Sequence, residues 1–240
     1  MRVTETSGID VLDNLTGGFP GNVFNVVETP DHQTGLLVIA HYLQEGLKNG
    51  ESCLVVTMED PFSLFQTFSS WNFDFYEYLK TEQLTFLLYQ PFVTTEIGLT
   101  NDYHGLIGEM ERLAGRTPER AVFHQVDSLL NLHSHTLINA SIQKLAAASA
   151  KSSTTYLGQY VQFRSITYQD VRISFLKNMP GFFTLRQLDE RLKDGTPNYS
   201  LSVDRVPWFH TEADRLQLTL KEGKGFVGLG VKAGSSGRAA

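Results

Sequence analysis

Val23-Phe24-Asn25-Val26-Val27-Glu28-Thr29-Pro30-Asp31-His32-Gln33-Thr34-Gly35-Leu36 is the stretch on which the reading of this chain turns. It begins as a short β-rich run between Gly21 and Pro30. It ends where apolar residues at 36, 37, 39, 40, 43 and 47 fall at helical spacing, before an Asn49-Gly50 stop. Strand, loop, helix is the order in which an open α/β sheet builds a ligand site at the carboxyl end of a strand. A phosphate-gripping loop there needs glycines for close backbone approach, a lysine for the β and γ phosphates and a Ser or Thr hydroxyl for Mg²⁺. Residues 28–36 do not spell that pattern, G-x-x-x-x-G-K-[ST].

Outward from this stretch, strand and helix signals alternate. Strands are predicted over 23–27, 52–57, 84–89, 121–126 and 154–161. Helices are predicted over 36–48, 61–68, 102–114 and 136–150. Strands separated by helices of this length imply parallel pairing through right-handed crossovers. The last third differs: 167–175, 199–206 and 215–220 read as strands, with one short helix over 184–192. The expected fold is therefore α/β, a mostly parallel sheet flanked by helices with an antiparallel extension near the C-terminus. One domain over 1–232 is expected, with 233–240 (Ala-Gly-Ser-Ser-Gly-Arg-Ala-Ala) a disordered tail or vector remnant.

Bulk composition narrows the function. A net charge of −6 argues against a broad nucleic-acid surface. No apolar run is long enough to span a membrane, and the N-terminus has no apolar signal region. Cys53 is the one cysteine, set in an apolar run, so no disulfide framework forms; it reads as core packing and fits a reducing, cytoplasmic setting.

Several motifs resemble the KaiC-like branch of RecA-type ATPases. Ser7-Gly8-Ile9, Leu12-Asp13, Leu15 and Gly17-Gly18-Phe19-Pro20 look like that family's opening. His41-Tyr42-Leu43-Gln44-Glu45-Gly46 with Asn49-Gly50-Glu51 resembles its first helix and turn. Val55-Val56-Thr57-Met58-Glu59-Asp60-Pro61 resembles its next strand end, Trp71 with Tyr78-Leu79 and 84–87 the stretch after that, and 122–129 its Walker B strand. The resemblance spans about residues 6 to 160 and continues weakly to about 226.

What the resemblance implies is a site altered at each required position. Counted back from Glu45-Gly46, the family's lysine falls on Gly35, its Mg²⁺ hydroxyl on Leu36 and two loop glycines on His32 and Thr34. Glu59 and Asp60 stand where the family keeps catalytic glutamates; before Pro61 they also suit a helix N-terminus. Asp127 stands at the Mg²⁺-positioning aspartate, although His124 and Gln125 interrupt that strand and Asp127-Ser128 also suits a turn or cap. Lys221 and Lys224 are the nearest counterparts of a motif that reaches a neighbouring subunit's nucleotide. No catalytic residue, cofactor or metal ligand is expected to operate. His124, His133 and His135 lack the close Cys or carboxylate that would complete a tetrahedral set.

Phe62, Phe65, Trp71, Phe75 and Tyr76 belong to an aromatic series denser than one helix needs, and are candidates for a protein interface. A narrower resemblance is to the N-terminal domain of the bacterial cellulose-synthesis regulator BcsE, carried by the Ser7-Gly8-Ile9 opening, Phe24-Asn25-Val26 and Thr57-Met58-Glu59-Asp60-Pro61. It implies an assembly role in exopolysaccharide secretion; that family's cyclic-di-GMP-binding portion has no counterpart here. Three readings follow. The first is an inactive ATPase fold used as a regulator or scaffold, as a homo-oligomer or with a true ATPase. The second is an atypical nucleotide binder or hydrolase using His32 and Gln33. The third is a RecA-paralogue-like DNA accessory, against which the acidic charge weighs.

Overall fold

The computed structural model describes residues 4–90, 96–97, 100–130, 134–162, 166–207, 215–221 and 223–232. The chain opens with β1 (Thr4–Glu5), α1 (Asp10–Thr16) and β2 (Phe19–Pro20), β1 and β2 pairing antiparallel. Asp13 organises this opening: its carboxylate accepts from Ser7 Oγ and Ser7 N at 2.7 Å and from Gly8 N at 3.1 Å. Gly8 has φ +75°, and a Cβ there would lie 2.5 Å from the His41 carbonyl oxygen. The Ser-Gly pair is thus required by backbone geometry and close approach.

The main sheet follows: β3 (Phe24–Thr29), β4 (Cys53–Thr57), β5 (Leu84–Leu88), β6 (Arg120–Phe123), β7 (Thr155–Val161), β8 (Gly181–Gln187), β9 (Asn198–Arg205), β10 (Arg215–Lys221) and β11 (Gly225–Lys232). Their spatial order is β11-β10-β9-β8-β3-β7-β6-β4-β5. From β8 to β5 all pairs are parallel, and from β8 to β11 all are antiparallel. This is the expected α/β architecture with its antiparallel C-terminal extension.

The helices are α2 (His32–Lys48), α3 (Pro61–Ser70), α4 (Tyr76–Lys80), α5 (Tyr103–Ala114), α6 (His135–Ser149) and α7 (Ile166–Asn178). Two apolar layers cover the two faces. One packs α2 and α3 against the sheet through Leu36, Leu43, Val55, Leu64 and Phe183. The other packs α5, α6 and α7 through Met110, Ile142, Val171 and Phe175. Cys53 lies in the first layer, and burial pushes its thiol pKa up to about 12, so it packs and is not a poised thiolate.

Two sequence expectations are corrected. Residues 167–175 are not a strand but most of α7. Their β-branched and aromatic content reads as β, yet Val171, Phe175 and Met179 form a buried stripe at helical spacing. The chain must also cross from β7 to its parallel near-neighbour β8, which requires a long connection. Residues 184–192 are not a helix: 184–187 complete β8, where Phe182, Phe183 and Leu185 are fully buried.

Candidate functional site at the carboxyl end of the sheet

Adjacent strands β3 and β7 send their connections in opposite directions, to β4 and to β8. This is the switch point at which an open α/β sheet places a ligand crevice. The β3–α2 junction lies there, and its local structure is set by Asp31. As N-cap of α2, Asp31 accepts at Oδ1 from Thr34 N at 2.7 Å, and its carbonyl takes the Gly35 N–H at 3.2 Å. The helix consequently begins at His32, four residues before the helical spacing signalled it.

Gly35 and Leu36, the two positions implied for lysine and the Mg²⁺ hydroxyl, are therefore interior to that helix. Gly35 lies flush on Gln159 of β7, whose Nε2 donates to the His32 carbonyl at 3.2 Å. Leu36 is in the core at 4% exposure; burying such a side chain stabilises the fold by about 1.5–3 kcal/mol. The helix cap places a carboxylate where a phosphate would sit, and neither an ammonium nor a hydroxyl occupies the two implied positions. These residues do not fit a Mg²⁺-triphosphate held in the phosphate-loop manner.

The neighbouring strand ends bring Thr57, Glu59, His124 and Gln125 together. Glu59 is exposed and accepts from Gln125 Nε2 at 2.9 Å. Gln125 holds φ +63°, which turns the chain from β6 into a short 3₁₀ turn, Val126–Leu129. Thr57 Oγ1 contacts His124 Nδ1 at 3.2 Å and accepts the Glu59 N–H at 2.9 Å. His124 is buried, and that burial, with His32 nearby, brings its pKa down to about 4. The His32 and His124 rings meet edge to face at 6.2 Å. His124 Nε2 and Gln159 Oε1, both adjoining His32, have no hydrogen-bond partner among the described residues. Asp127 sits in the 3₁₀ turn, where burial raises its carboxyl pKa and His32 opposes that rise. Asp60 is the N-cap of α3, accepting from Ser63 N and Oγ at 2.9 Å ahead of Pro61.

Beside this crevice, the fully buried Glu28 of β3 receives Arg172 Nε at 3.1 Å on both oxygens, and Thr184 Oγ1 donates to Oε2 at 2.8 Å. Asp204 completes the group, 3.8 Å from Arg172 Nη2. Sequence reasoning missed Gln159, Glu28 and Arg172. A polar residue within the run Tyr156-Leu157-Gly158-Gln159-Tyr160 was the available signal.

The aromatic candidates divide. Phe62 and Tyr76 are 64% and 54% exposed, whereas Phe65 and Trp71 are partly buried against the core. Phe75 leaves the candidate surface: it is fully buried, edge to face with Phe68. Among the described residues no group of three or more His, Cys, Asp or Glu side chains could hold a metal ion. His133 and residues 233–240 lie outside the described residues, as does the side chain of His135. Among the described residues no helix is long and apolar enough to cross a membrane.

The class that this architecture defines is the KaiC-like, RecA-type α/β fold. A solved structure of a KaiC-like protein from the hyperthermophilic archaeon Pyrococcus horikoshii OT3 superposes with a TM-score of 0.72, covering 96% of this chain and 99% of that one at 16% identity. At that identity the likeness shows the fold alone. No family model matches the sequence, and no curated protein matches it.

Proposed function

We propose that this chain is a catalytically inactive KaiC-like domain acting as a regulatory or scaffolding module through protein contacts. The observation that carries this reading is the β3–α2 junction: Asp31 caps the helix, Gly35 is flush on Gln159 and Leu36 is core. The chemistry of Mg²⁺-triphosphate binding has no donor set at that place. The fold is kept, so its surface is what remains to be used, as a homo-oligomer or with a true ATPase. Exposed Phe62 and Tyr76 support a contact face on α3 and α4. The motif likeness to the cellulose-synthesis regulator supports a place in bacterial exopolysaccharide regulation, in the cytoplasm.

Titration calorimetry with Mg-ATP tests the inactive reading: no heat of binding is expected, and saturable micromolar binding would sink it. Light scattering tests assembly. A mass above the monomer that falls in a Phe62→Ser, Tyr76→Ser double variant is expected; a monomer at high concentration removes self-association and leaves only a hetero-complex, to be sought with a RecA-type ATPase from the same host. Unchanged exopolysaccharide on disrupting the reading frame there would remove the pathway assignment.

A further inference from the structure

β5 ends the nine-stranded sheet on one side. Its inner side is paired: the Gln83 carbonyl accepts from Cys53 N at 2.8 Å, and Tyr89 N donates to the Thr57 carbonyl at 2.7 Å. Backbone groups alternate in direction along a strand, so residues 83, 85, 87 and 89 face β4. Leu84, Phe86 and Leu88 therefore turn their N–H and C=O groups outward, where no strand pairs with them among the described residues. Such an edge is ordinarily blunted by a charge, a proline or a bulge. The opposite edge strand, β11, carries Lys232, and its ladder with β10 shifts register between Gln217 and Leu218. β5, Leu84-Thr85-Phe86-Leu87-Leu88, has none of these devices. Leu88 on this edge is 47% exposed, and Leu113 of the adjoining α5 is 49% exposed.

The edge is complementary to itself. A second copy turned about a two-fold axis at Phe86 runs antiparallel, with Phe86 opposite its own mate and Leu84 opposite Leu88. Each of these residues then exchanges both backbone groups, about six hydrogen bonds in all. Their side chains share the face of β5 on which α3 and α4 pack, so Leu88 gains Leu84 as a cross-strand neighbour. On the other face, α5 packs on β5 and shows the same fit. Asp102, Gly105, Glu109, Leu113 and Arg116 form an exposed row at helical spacing. The Glu82 carbonyl holds Arg116 at the amino end of β5. Turned about Glu109, Arg116 faces Asp102 of the other copy, and Leu113 faces Gly105, which has no side chain. Each Glu109 at the centre is already neutralised by Arg112, whose Nε donates at 2.8 Å. Glu82 and Glu96, exposed at the two ends, leave the pair net negative. Residues 91–95 and 98–99, outside the described residues, add no charge. Charge therefore fixes the register, and backbone pairing with apolar cover supplies the affinity.

We propose that this chain pairs with a second copy of itself edge to edge, β5 antiparallel to β5, so that the two sheets become one continuous sheet closed by a two-fold axis. A contact of this kind is isologous and builds neither a ring nor a filament. The inference rests on the self-association reading and gives it a surface, bordered by the helices that carry Phe62 and Tyr76.

Light scattering of the full chain over a concentration series, joined to cysteine cross-linking, tests the pairing. A mass of two chains is expected at high concentration. Leu88→Lys and Leu88→Pro alter an exposed position whose N–H faces away from β4. Each should raise the dimer dissociation constant roughly tenfold, since a two-fold axis counts every change twice. Urea midpoints taken on the dilute monomers should match the parent, which separates lost pairing from lost folding. Arg116→Glu should weaken the dimer roughly fivefold at low ionic strength. Phe86→Cys should give a disulfide-linked dimer with oxidised glutathione, because Cα atoms of a directly opposed, hydrogen-bonded pair lie about 5.5 Å apart. Thr85→Cys, one residue out of register and on the other face, should not; Cys53 is buried in both. A dimer that survives both Leu88 variants, or that fails to link at Phe86, would overturn this surface and leave self-association through another face. Unchanged affinity in Arg116→Glu would overturn the register. A mass that climbs past two chains would overturn the two-fold closure. A parent that stays monomeric at high concentration would overturn the pairing and self-association together, while the inactive reading stands or falls by calorimetry alone.

Discussion

Gly35 and Gln159 touch so closely that a Cβ on Gly35 would lie 2.0 Å from Gln159 Nε2 and 2.7 Å from its Cγ. Gln159 is 1% exposed, so its side chain cannot swing into solvent. Glycine in a helix interior ordinarily costs about 0.5–1 kcal/mol against alanine. Here overpacking, about 1–3 kcal/mol, outweighs that gain. Gly35→Ala is expected to destabilise the protein by about 1 kcal/mol in urea unfolding. In a Gln159→Ala background the same substitution should become neutral or stabilising. Gly35→Lys is expected to be more destabilising and to confer no Mg-ATP binding. Additive behaviour in the Gly35–Gln159 cycle would show that the two residues do not oppose each other.

How far the sequence could be read follows from the distance over which each signal acts. The β3–α2–β4 unit was legible because its periodicity and its Asn49-Gly50 stop are local. The Asp60 cap was legible because Pro61 adjoins it. The true start of α2 at His32 was less so, since the apolar face begins at Leu36 and the cap lies outside that pattern. α7 was misread because β-branched residues carry a strand signal that its tertiary stripe of Val171, Phe175 and Met179 overrides. The contacts Gln159–Gly35 and Arg172–Glu28 join segments remote in sequence, so only the fold reveals them.

Acid should weaken the fold through two histidines. In His41, Nε2 accepts the Phe226 N–H at 2.8 Å, so Nδ1 bears the proton directed at the Gly8 carbonyl, 3.1 Å away. A second proton would face the Phe226 N–H. Burial brings His41 down to about 4, and His124 likewise to about 4. The unfolded chain protonates near 6.5 while the folded one resists, so stability is fully present above pH 6.5 and is lost as pH falls toward 4. Each histidine contributes at most about 3 kcal/mol across that window. Urea midpoints at pH 7, 5.5 and 4.5 should fall steadily, and His41→Gln should lose stability at pH 7 but show a shallower decline. An unchanged slope in that variant would exonerate His41.

Arg120 anchors the N-terminal segment from within the core. It is 1% exposed, pairs with Glu51, donates to the Thr6 carbonyl at 2.6 Å and the Tyr42 carbonyl at 3.1 Å, and lies 4.6 Å over the Tyr42 ring. Glu5 of β1 is a further partner at 3.6 Å. Arg120→Met keeps much of the volume but leaves two carbonyls and two half-buried carboxylates without their cation. A loss of about 3 kcal/mol is expected. Limited proteolysis should cut before α1 in this variant sooner than in the parent. Equal cleavage rates would mean that β1 is held independently of Arg120.

The Glu28 group carries two carboxylates and one guanidinium, and this imbalance makes its variants unequal. Glu28→Gln leaves Arg172 beside Asp204 as a neutral pair, and the glutamine oxygen can still accept from Thr184 Oγ1. Its cost should be about 1–2 kcal/mol, near that of a weakened charge-assisted hydrogen bond. Arg172→Met instead leaves Glu28, fully buried, and Asp204 with their negative charges uncompensated around one hydroxyl. Stranding charge in this way costs about 3–5 kcal/mol. The double variant Glu28→Gln, Arg172→Met should recover part of that loss, because it removes one stranded charge together with its partner. Urea unfolding of the three variants at neutral pH decides the matter: equal losses for the two single substitutions would show that solvent compensates both carboxylates and that Arg172 is a packing residue over Phe182.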